Sequence, residues 1–262
     1  ILDSNHLKRI FLENDVDTIY HAAAFKHVPL VQDVNNISKS VENNFIGTYR
    51  LAIEASQSNV KSFVLVSTDK AVRPTNVMGA SKRMAEIAIQ ALNEKCPNCK
   101  LSMVRFGNVI NSSGSVIPLF LDQISRGGPI TITHKDVERY FMTIPEASNL
   151  VIQAGEMAKG GEVFILDMGE QMKVLDIAKR LIHLSGRSVS ETSNSEGIEI
   201  VEVGLRDGEK MFEELLISGN EKKTSNPRIF KSNESFLSFE KLNEIINDIL
   251  EAIMDNNTRQ IT

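Results

Sequence analysis

Three short apolar runs restrict the architecture of this chain more than anything else in it. They are Thr18–Ala24, Ser62–Ser67 and Leu101–Phe106. Each is too short for a helix and almost continuously apolar, as expected of a strand buried on both faces. Between them lie amphipathic stretches of helical length, about 37–58 and 77–94, and a further one, 2–14, precedes the first run. Strands alternating with helices of that length predict an α/β fold, with a doubly wound parallel sheet carrying helices on both faces. In such sheets ligands gather beyond the carboxyl ends of the strands. The positions that matter are therefore those after Ala23, Ser67 and Phe106.

Beyond about residue 114 the pattern loosens. Helices are expected over 116–125, 146–158, 174–184 and 239–254, with short strands at 130–133 and 162–167. The stretch 188–197 is polar and reads as an exposed loop, and 256–262 as a frayed tail. The organisation predicted is a core over 1–130 and a lobe over 131–255 that is mainly ligand-binding and interleaved with the core.

Composition narrows the function classes. A formal net charge of −5 argues against a nucleic-acid surface. No apolar run approaches the roughly 20 residues that span a bilayer, so no membrane contact by this chain is expected. The only cysteines, Cys96 and Cys99, form one CxxC pair. A structural zinc needs four ligands, so the pair reads as part of a plain loop between helix and strand, and no metal is expected. A dinucleotide fold normally opens with a strand, a GxGxxG turn and a helix, whose glycines and N-terminus receive pyrophosphate. No GxGxxG occurs in this sequence, and there is no initiator Met. The expectation is a partial Rossmann-type fold whose first visible strand would be the fourth of a complete one.

The densest chemistry lies at 67–83, Ser-Thr-Asp-Lys-Ala-Val-Arg-Pro-Thr-Asn-Val-Met-Gly-Ala-Ser-Lys-Arg. Asp69 and Lys70 directly follow a strand, where adjacent acid and base can divide proton transfers. A solvated loop with a surface lysine is the plainer alternative. Lys82 lies four residues after Met78, so both share one helix face. A serine followed by a Tyr-x-x-x-Lys pattern is the arrangement of short-chain dehydrogenases/reductases. Here methionine, which cannot ionise or donate a proton, stands at the tyrosine position, Met78.

Further segments add to this one: Ala-Ala-Ala-Phe-Lys-His-Val-Pro at 22–29, Arg-Phe-Gly-Asn-Val at 105–109 and Gly-Ser-Val-Ile-Pro-Leu-Phe at 114–120. Arg-Tyr-Phe-Met-Thr-Ile-Pro-Glu-Ala at 139–147 and Gly-Leu-Arg-Asp-Gly-Glu-Lys-Met-Phe-Glu-Glu-Leu-Leu at 204–216 complete the set. Together they resemble the CapD-like polysaccharide biosynthesis proteins, a branch of UDP-N-acetylglucosamine 4,6-dehydratases whose longer, membrane-anchored members carry methionine at this position. The resemblance implies a lyase that oxidises the sugar at C4, eliminates water across C5 and C6, and returns the hydride to C6, with NAD or NADP recycled.

It also implies roles. Lys70 is the candidate base at C5 and Asp69 the candidate acid toward the C6 oxygen. Lys82 would bind the nicotinamide ribose. Thr68 or Ser67 would polarise the C4 oxygen, and Asp69 or a relayed water would take the C4 hydroxyl proton. Ala22, Ala23 and Ser67 fall where the cofactor approaches the backbone. Asn108, Val116, Thr131, Arg139, Arg206 and Glu209 fall in the segments that hold the UDP-sugar, with Lys26 a weaker phosphate contact. Arg139 and Arg206 suit pyrophosphate, since a guanidinium fork matches phosphate oxygens, and Glu209 suits ribose hydroxyls. His21 and His27 read as structural histidines. A bacterial, cytoplasmic enzyme is implied, with any membrane anchor upstream, and a homo-oligomer is compatible. A nucleotide-sugar C4 epimerase is the rival enzyme, disfavoured by Asp69-Lys70. A catalytically inactive nucleotide-sugar-binding module is the rival from another class.

Overall fold

The computed structural model describes residues 1–190, 197–216, 221–232, 234–255 and 257–261. The first part of the chain runs α1 (Ser4–Glu13), β1 (Thr18–His21), α2 (Val28–Gln32), α3 (Ile37–Val41), a π-helical stretch (Glu42–Gly47) and α4 (Thr48–Ser56). Next come β2 (Ser62–Val66), a 3₁₀ turn (Asp69–Ala71), α5 (Val77–Asn93), β3 (Lys100–Arg105), β4 (Asn108–Val109) and α6 (Val116–Ser125). The middle holds β5 (Ile130–Ile132), β6 (Glu138–Arg139), β7 (Phe141–Met142), α7 (Ile144–Met157), β8 (Val163–Leu166), β9 (Met172–Lys173) and α8 (Val174–Leu184). The chain finishes with β10 (Val189–Ser190), β11 (Ile198–Glu202), β12 (Lys222–Lys223), β13 (Ile229–Ser232), α9 (Phe239–Met254) and α10 (Thr258–Ile261).

The chain divides into two compact units: one of residues 1–106, 149–167 and 214–262, the other of 107–148 and 168–213. The terminal helix α9, placed with the second lobe by the sequence pattern, belongs to the first unit.

The first unit is built on a six-stranded sheet in the order β1-β2-β3-β8-β13-β12. β1, β2, β3 and β8 run parallel, as the apolar runs predicted. β13 and β12 add antiparallel, so the sheet is mixed rather than wholly parallel. Phe63, Leu65, Leu101 and Met103 are fully buried, and they pack with Leu51, Ala52, Ala55, Ala85 and Ile89 from the helices. A second cluster joins Val41, Phe45 and Ile46 to Ala88 and Ala91 of α5 and to Leu242 and Ile246 of α9.

The expected long helix over 37–58 is broken into α3, the π-helical stretch and α4. A π-turn inserts one residue into the helical repeat and re-aims side chains, which apolar periodicity does not register. The stretch expected to be a loop at 188–197 contains β10, and its residues 191–196 lie outside the described ones. The tail expected to fray carries α10 over Thr258–Ile261.

The second unit has its own core, in which Phe120 and Ile124 of α6 meet Val174, Ala178 and Ile182 of α8 over Ile130, Ile132 and Ile198. Its three-stranded sheet has the order β10-β11-β5, all parallel. Among the described residues no helix is long and apolar enough to cross a membrane.

Candidate active site

In the first unit the carboxyl ends of β1, β2 and β3 lie side by side. β2 ends at Val66, but its pairing does not stop there. Ser67 N–H donates to Val104 O at 2.8 Å and Asp69 N–H to Phe106 O at 3.1 Å. Two rungs beyond the strand thus hold the segment that carries Asp69 and Lys70. Thr68 is extended and caps the 3₁₀ turn, its Oγ1 accepting from Lys70 N–H at 3.3 Å.

The turn brings Asp69 and Lys70 together. Lys70 Nζ donates to Asp69 Oδ1 at 2.8 Å, and Thr68 Oγ1 donates to the same oxygen at 2.9 Å. Asp69 is fully buried, while the Lys70 side chain keeps 21% of its surface. Asp69 Oδ2 is buried with no hydrogen-bond partner among the described residues. A buried carboxylate oxygen without a hydrogen-bond partner is costly.

Helix α5 supplies the other half. Asn76 caps it, accepting from Gly79 N–H at 2.8 Å, and Gln32 Oε1 accepts from Val77 N–H at 2.8 Å. A Cβ at residue 79 would strike the Lys70 carbonyl, so α5 packs on the turn as closely as only glycine permits. Met78, Lys82 and Glu86 are buried and recur every fourth residue, along one face. Lys82 Nζ donates to Val66 O at 2.7 Å. Burial lowers its pKa to about 8, and the Glu86 carboxylate opposes the shift. A lysine there is a buried cation at the strand end that can release its proton within the physiological range.

Sequence reasoning missed several residues of this site. Asn44, in the π-helical stretch, accepts from Phe25 N–H at 2.7 Å and donates to Phe25 O at 2.9 Å and to Ser81 Oγ at 3.2 Å. It ties the segment after β1 to two helices. The π-turn aims it, so only the adjacent Gly47-Thr48 hinted at a break. Glu86, Arg105, Glu234 and Arg83 form a buried cluster behind the strand ends. Arg105 Nε and Nη2 donate to the two Glu86 oxygens at 2.7 and 2.6 Å, and Nη1 and Nη2 to the two Glu234 oxygens at 2.6 and 2.8 Å. Arg83 Nη1 meets Glu86 at 3.1 Å and Glu234 at 2.8 Å. Burial opposes the charges of Arg105 and Glu86, but their mutual attraction outweighs it and holds both ionised. Ser67 Oγ donates to Glu86 at 2.7 Å, so its one proton points to the cluster and not toward a ligand.

His21 is buried and bonded to Thr48 Oγ1 at 2.8 Å. Burial, then the charge of Lys82, lowers its pKa to about 4, so it is neutral near pH 7. Ala22 and Ala23 are exposed just past β1. Lys26 is exposed with its pKa lowered by burial of part of its stem. Cys96 and Cys99 are free thiols in the turn region before β3, and burial, with Cys96 beside it, pushes Cys99 up to about 11. No acidic, histidine or cysteine cluster fit for a metal occurs among the described residues.

The second unit gathers some of the remaining residues. Arg139 Nη2 donates to Glu209 Oε1 at 3.0 Å, its Nη1 to Glu138 O at 2.8 Å and Met211 O at 3.1 Å, and its Nε lies 3.8 Å from Glu213. Thr133 Oγ1 and Arg206 N–H also reach Glu209, at 3.0 and 3.2 Å. Arg139 and Glu209, expected to meet a nucleotide, thus meet each other, while the Arg206 side chain is exposed. Asn108 Nδ2 donates to Tyr140 O at 3.2 Å. Thr131 pairs with Gln123 through both backbone and side chain, and Val116 opens α6.

Residues 1–234 match the family described as polysaccharide biosynthesis protein. The chain belongs to that family. Its capsular polysaccharide biosynthesis relative CapD of Staphylococcus aureus is 55% identical over 198 residues, 76% of this chain and 32% of the relative. The probable polysaccharide biosynthesis protein EpsC of Bacillus subtilis is 51% identical over 216 residues, 82% of this chain and 35% of the relative. The chain therefore spans about a third of the length of these family members. Among solved structures, Pen from Bacillus thuringiensis superposes with a TM-score of 0.78 at 31% identity, over 95% of this chain and 80% of Pen. At 20% identity the fold alone is shared with DesIV, a dTDP-glucose 4,6-dehydratase of Streptomyces venezuelae solved with NAD and TYD (TM-score 0.69; 82% of this chain, 68% of DesIV). A Rossmann-like mixed α/β fold with a parallel-strand core is thereby established for this chain.

Proposed function

We propose that this chain carries the acid–base site of a nucleotide-sugar 4,6-dehydratase of polysaccharide biosynthesis, acting on UDP-N-acetylglucosamine. The observation that carries the reading is the Asp69–Lys70 pair at 2.8 Å, at the end of β2, with the second Asp69 oxygen buried and unbonded. A C4 epimerase needs neither an acid for C6 nor a base for C5. A dehydratase needs both, within reach of adjacent sugar carbons.

A bound NAD or NADP would supply hydride acceptance at C4 and its return at C6. The exposed Ala22-Ala23 backbone and the buried Lys82 cation suit the nicotinamide ribose end of such a group. The rest is work for the chain. As C4 is oxidised, the Asp69 carboxylate takes the C4 hydroxyl proton, directly or through a relayed water, and becomes the acid. Lys70, in its neutral form, then removes the C5 proton while Asp69 passes its proton to the departing C6 hydroxyl, which leaves as water; the proton held by Lys70 returns to C5 when the hydride returns to C6. Thr68, whose hydroxyl already bonds Asp69, is the group that can turn toward the C4 oxygen. Met78 fills the tyrosine position and excludes water without trading protons. Asn108, Val116, Thr131, Arg139, Arg206, Glu209 and Lys26 are proposed for the UDP-sugar, Arg139 by exchanging a carboxylate partner for phosphate oxygens.

The test is product analysis by NMR with the full-length protein, NAD and UDP-N-acetylglucosamine. A 4-keto-6-deoxy sugar supports the reading. A C4 epimer, or unchanged substrate in the presence of demonstrable UDP-sugar binding, refutes it.

A further inference from the structure

The end of β2 is bound to a part of the chain very distant in sequence. Ser67 Oγ donates to Glu86 Oε1 at 2.7 Å, the oxygen that also receives Arg105 Nε at 2.7 Å. Arg105 grips Glu86 and Glu234 with one guanidinium, and Arg83 bridges the same two carboxylates from the α5 side. Arg83 Nη2 also reaches Ser235 O at 3.3 Å. Arg105 and Glu86 are completely buried and Glu234 nearly so. Two cations and two carboxylates balance, and at these depths water cannot replace a lost partner. The planar guanidinium fork accepts few arrangements, so the cluster has one satisfied geometry. Lys82 lies one helical turn before Glu86 and bonds Val66 O, the residue before Ser67. Two successive turns of α5 are thus pinned to two successive residues of β2's end.

We propose that Ser67 is a positioning residue and that Arg83, Glu86, Arg105 and Glu234 form a buried clamp. The clamp sets α5 against the end of β2 and so fixes Thr68, Asp69, Lys70 and Lys82 relative to one another. Glu234, between β13 and α9, makes the C-terminal segment part of the reacting site without touching substrate. The proposal rests on the dehydratase reading only for the reaction in which its effect on rate is measured.

The test compares Ser67→Ala, Ser67→Thr and Glu234→Gln with the unaltered full-length protein. Steady-state turnover of UDP-N-acetylglucosamine is one readout and amide hydrogen exchange the other. Losing one charge-assisted bond of this kind should lower kcat about tenfold with KM unchanged, in both Ser67→Ala and Glu234→Gln. Ser67→Thr keeps the donor and should retain most of the rate. Exchange at residues 67–71 should quicken in Glu234→Gln, while residues 130–132 and 198–202 stay as they were. A raised KM with kcat intact in Ser67→Ala would make Ser67 a ligand contact and overturn the proposal. Unchanged exchange at 67–71 in Glu234→Gln would overturn it equally. If the unaltered protein does not turn over this sugar, the dehydratase reading falls, and exchange alone still decides the clamp.

Discussion

The two units hold arginine in opposite ways. In the first, Arg105 has no exposed surface and is enclosed by two carboxylates and a second arginine behind the strand ends. In the second, Arg139 retains a little surface, and its partner Glu209 is 21% exposed. Buried completely, an ion cluster cannot trade partners and behaves as scaffold. At a solvent edge the same groups can exchange a carboxylate for another anion at little cost. The first arrangement suits holding a reacting pair still, and the second suits receiving a ligand.

Four outcomes would break or sharpen this contrast. The largest concerns Asp69 and Lys70, the pair proposed to react. Lys70→Ala should cut formation of the 4-keto product by about a thousandfold, the middle of the range for a general base, with UDP binding by calorimetry little changed. Residual product above a tenth of normal would remove Lys70 from the base role. Next is Arg105→Met, which leaves two carboxylates buried without their main partner. It should cost about 3–5 kcal/mol in denaturant unfolding. A loss below 1 kcal/mol would mean that water reaches the cluster.

Acid provides the third. The folded protein holds His21 neutral down to about pH 4, while the unfolded chain binds a proton at the ordinary 6.5. Between those values unfolding takes up a proton, so stability falls as the pH drops. The fall should be on the order of 2–3 kcal/mol, measured by urea unfolding from pH 7 to 4. His21→Gln should flatten that part of the curve; an equally steep profile in the variant would assign the loss to other groups. The smallest effect is expected for Arg139→Met, about 1–2 kcal/mol of stability. Its larger consequence should be weaker UDP binding, seen by calorimetry. A stability loss as great as that of Arg105→Met, with UDP affinity intact, would erase the difference between the two arginines.

Much of the site was legible because its chemistry is contiguous. Thr68, Asp69 and Lys70 follow one apolar run, and a strand end exposes whatever comes next. Met78 and Lys82 were readable through helical periodicity, which needs only local geometry. Asn44 was not, because the π-helical stretch shifts the side-chain register inside a segment that still looks like a regular helix. Ser67 was assigned to cofactor or C4 oxygen because a hydroxyl's direction depends on what lies behind it. There the structure places Glu86, whose pattern on α5 marks it only as one more polar residue.

By itself the sequence determined the alternation of strands and helices, the parallel heart of the sheet and the position of Asp69 and Lys70 at a strand end. Those features follow from side-chain periodicity and nearest-neighbour chemistry. Tertiary structure alone decided the antiparallel edge, the pairing of Arg139 with Glu209, and the meeting of Ser67, Glu86, Arg105 and Glu234 across 167 residues of chain, the interval from 67 to 234. Such contacts depend on how helices and strands stack. A buried charge finds its partner through the low dielectric of the core, and no local pattern announces it.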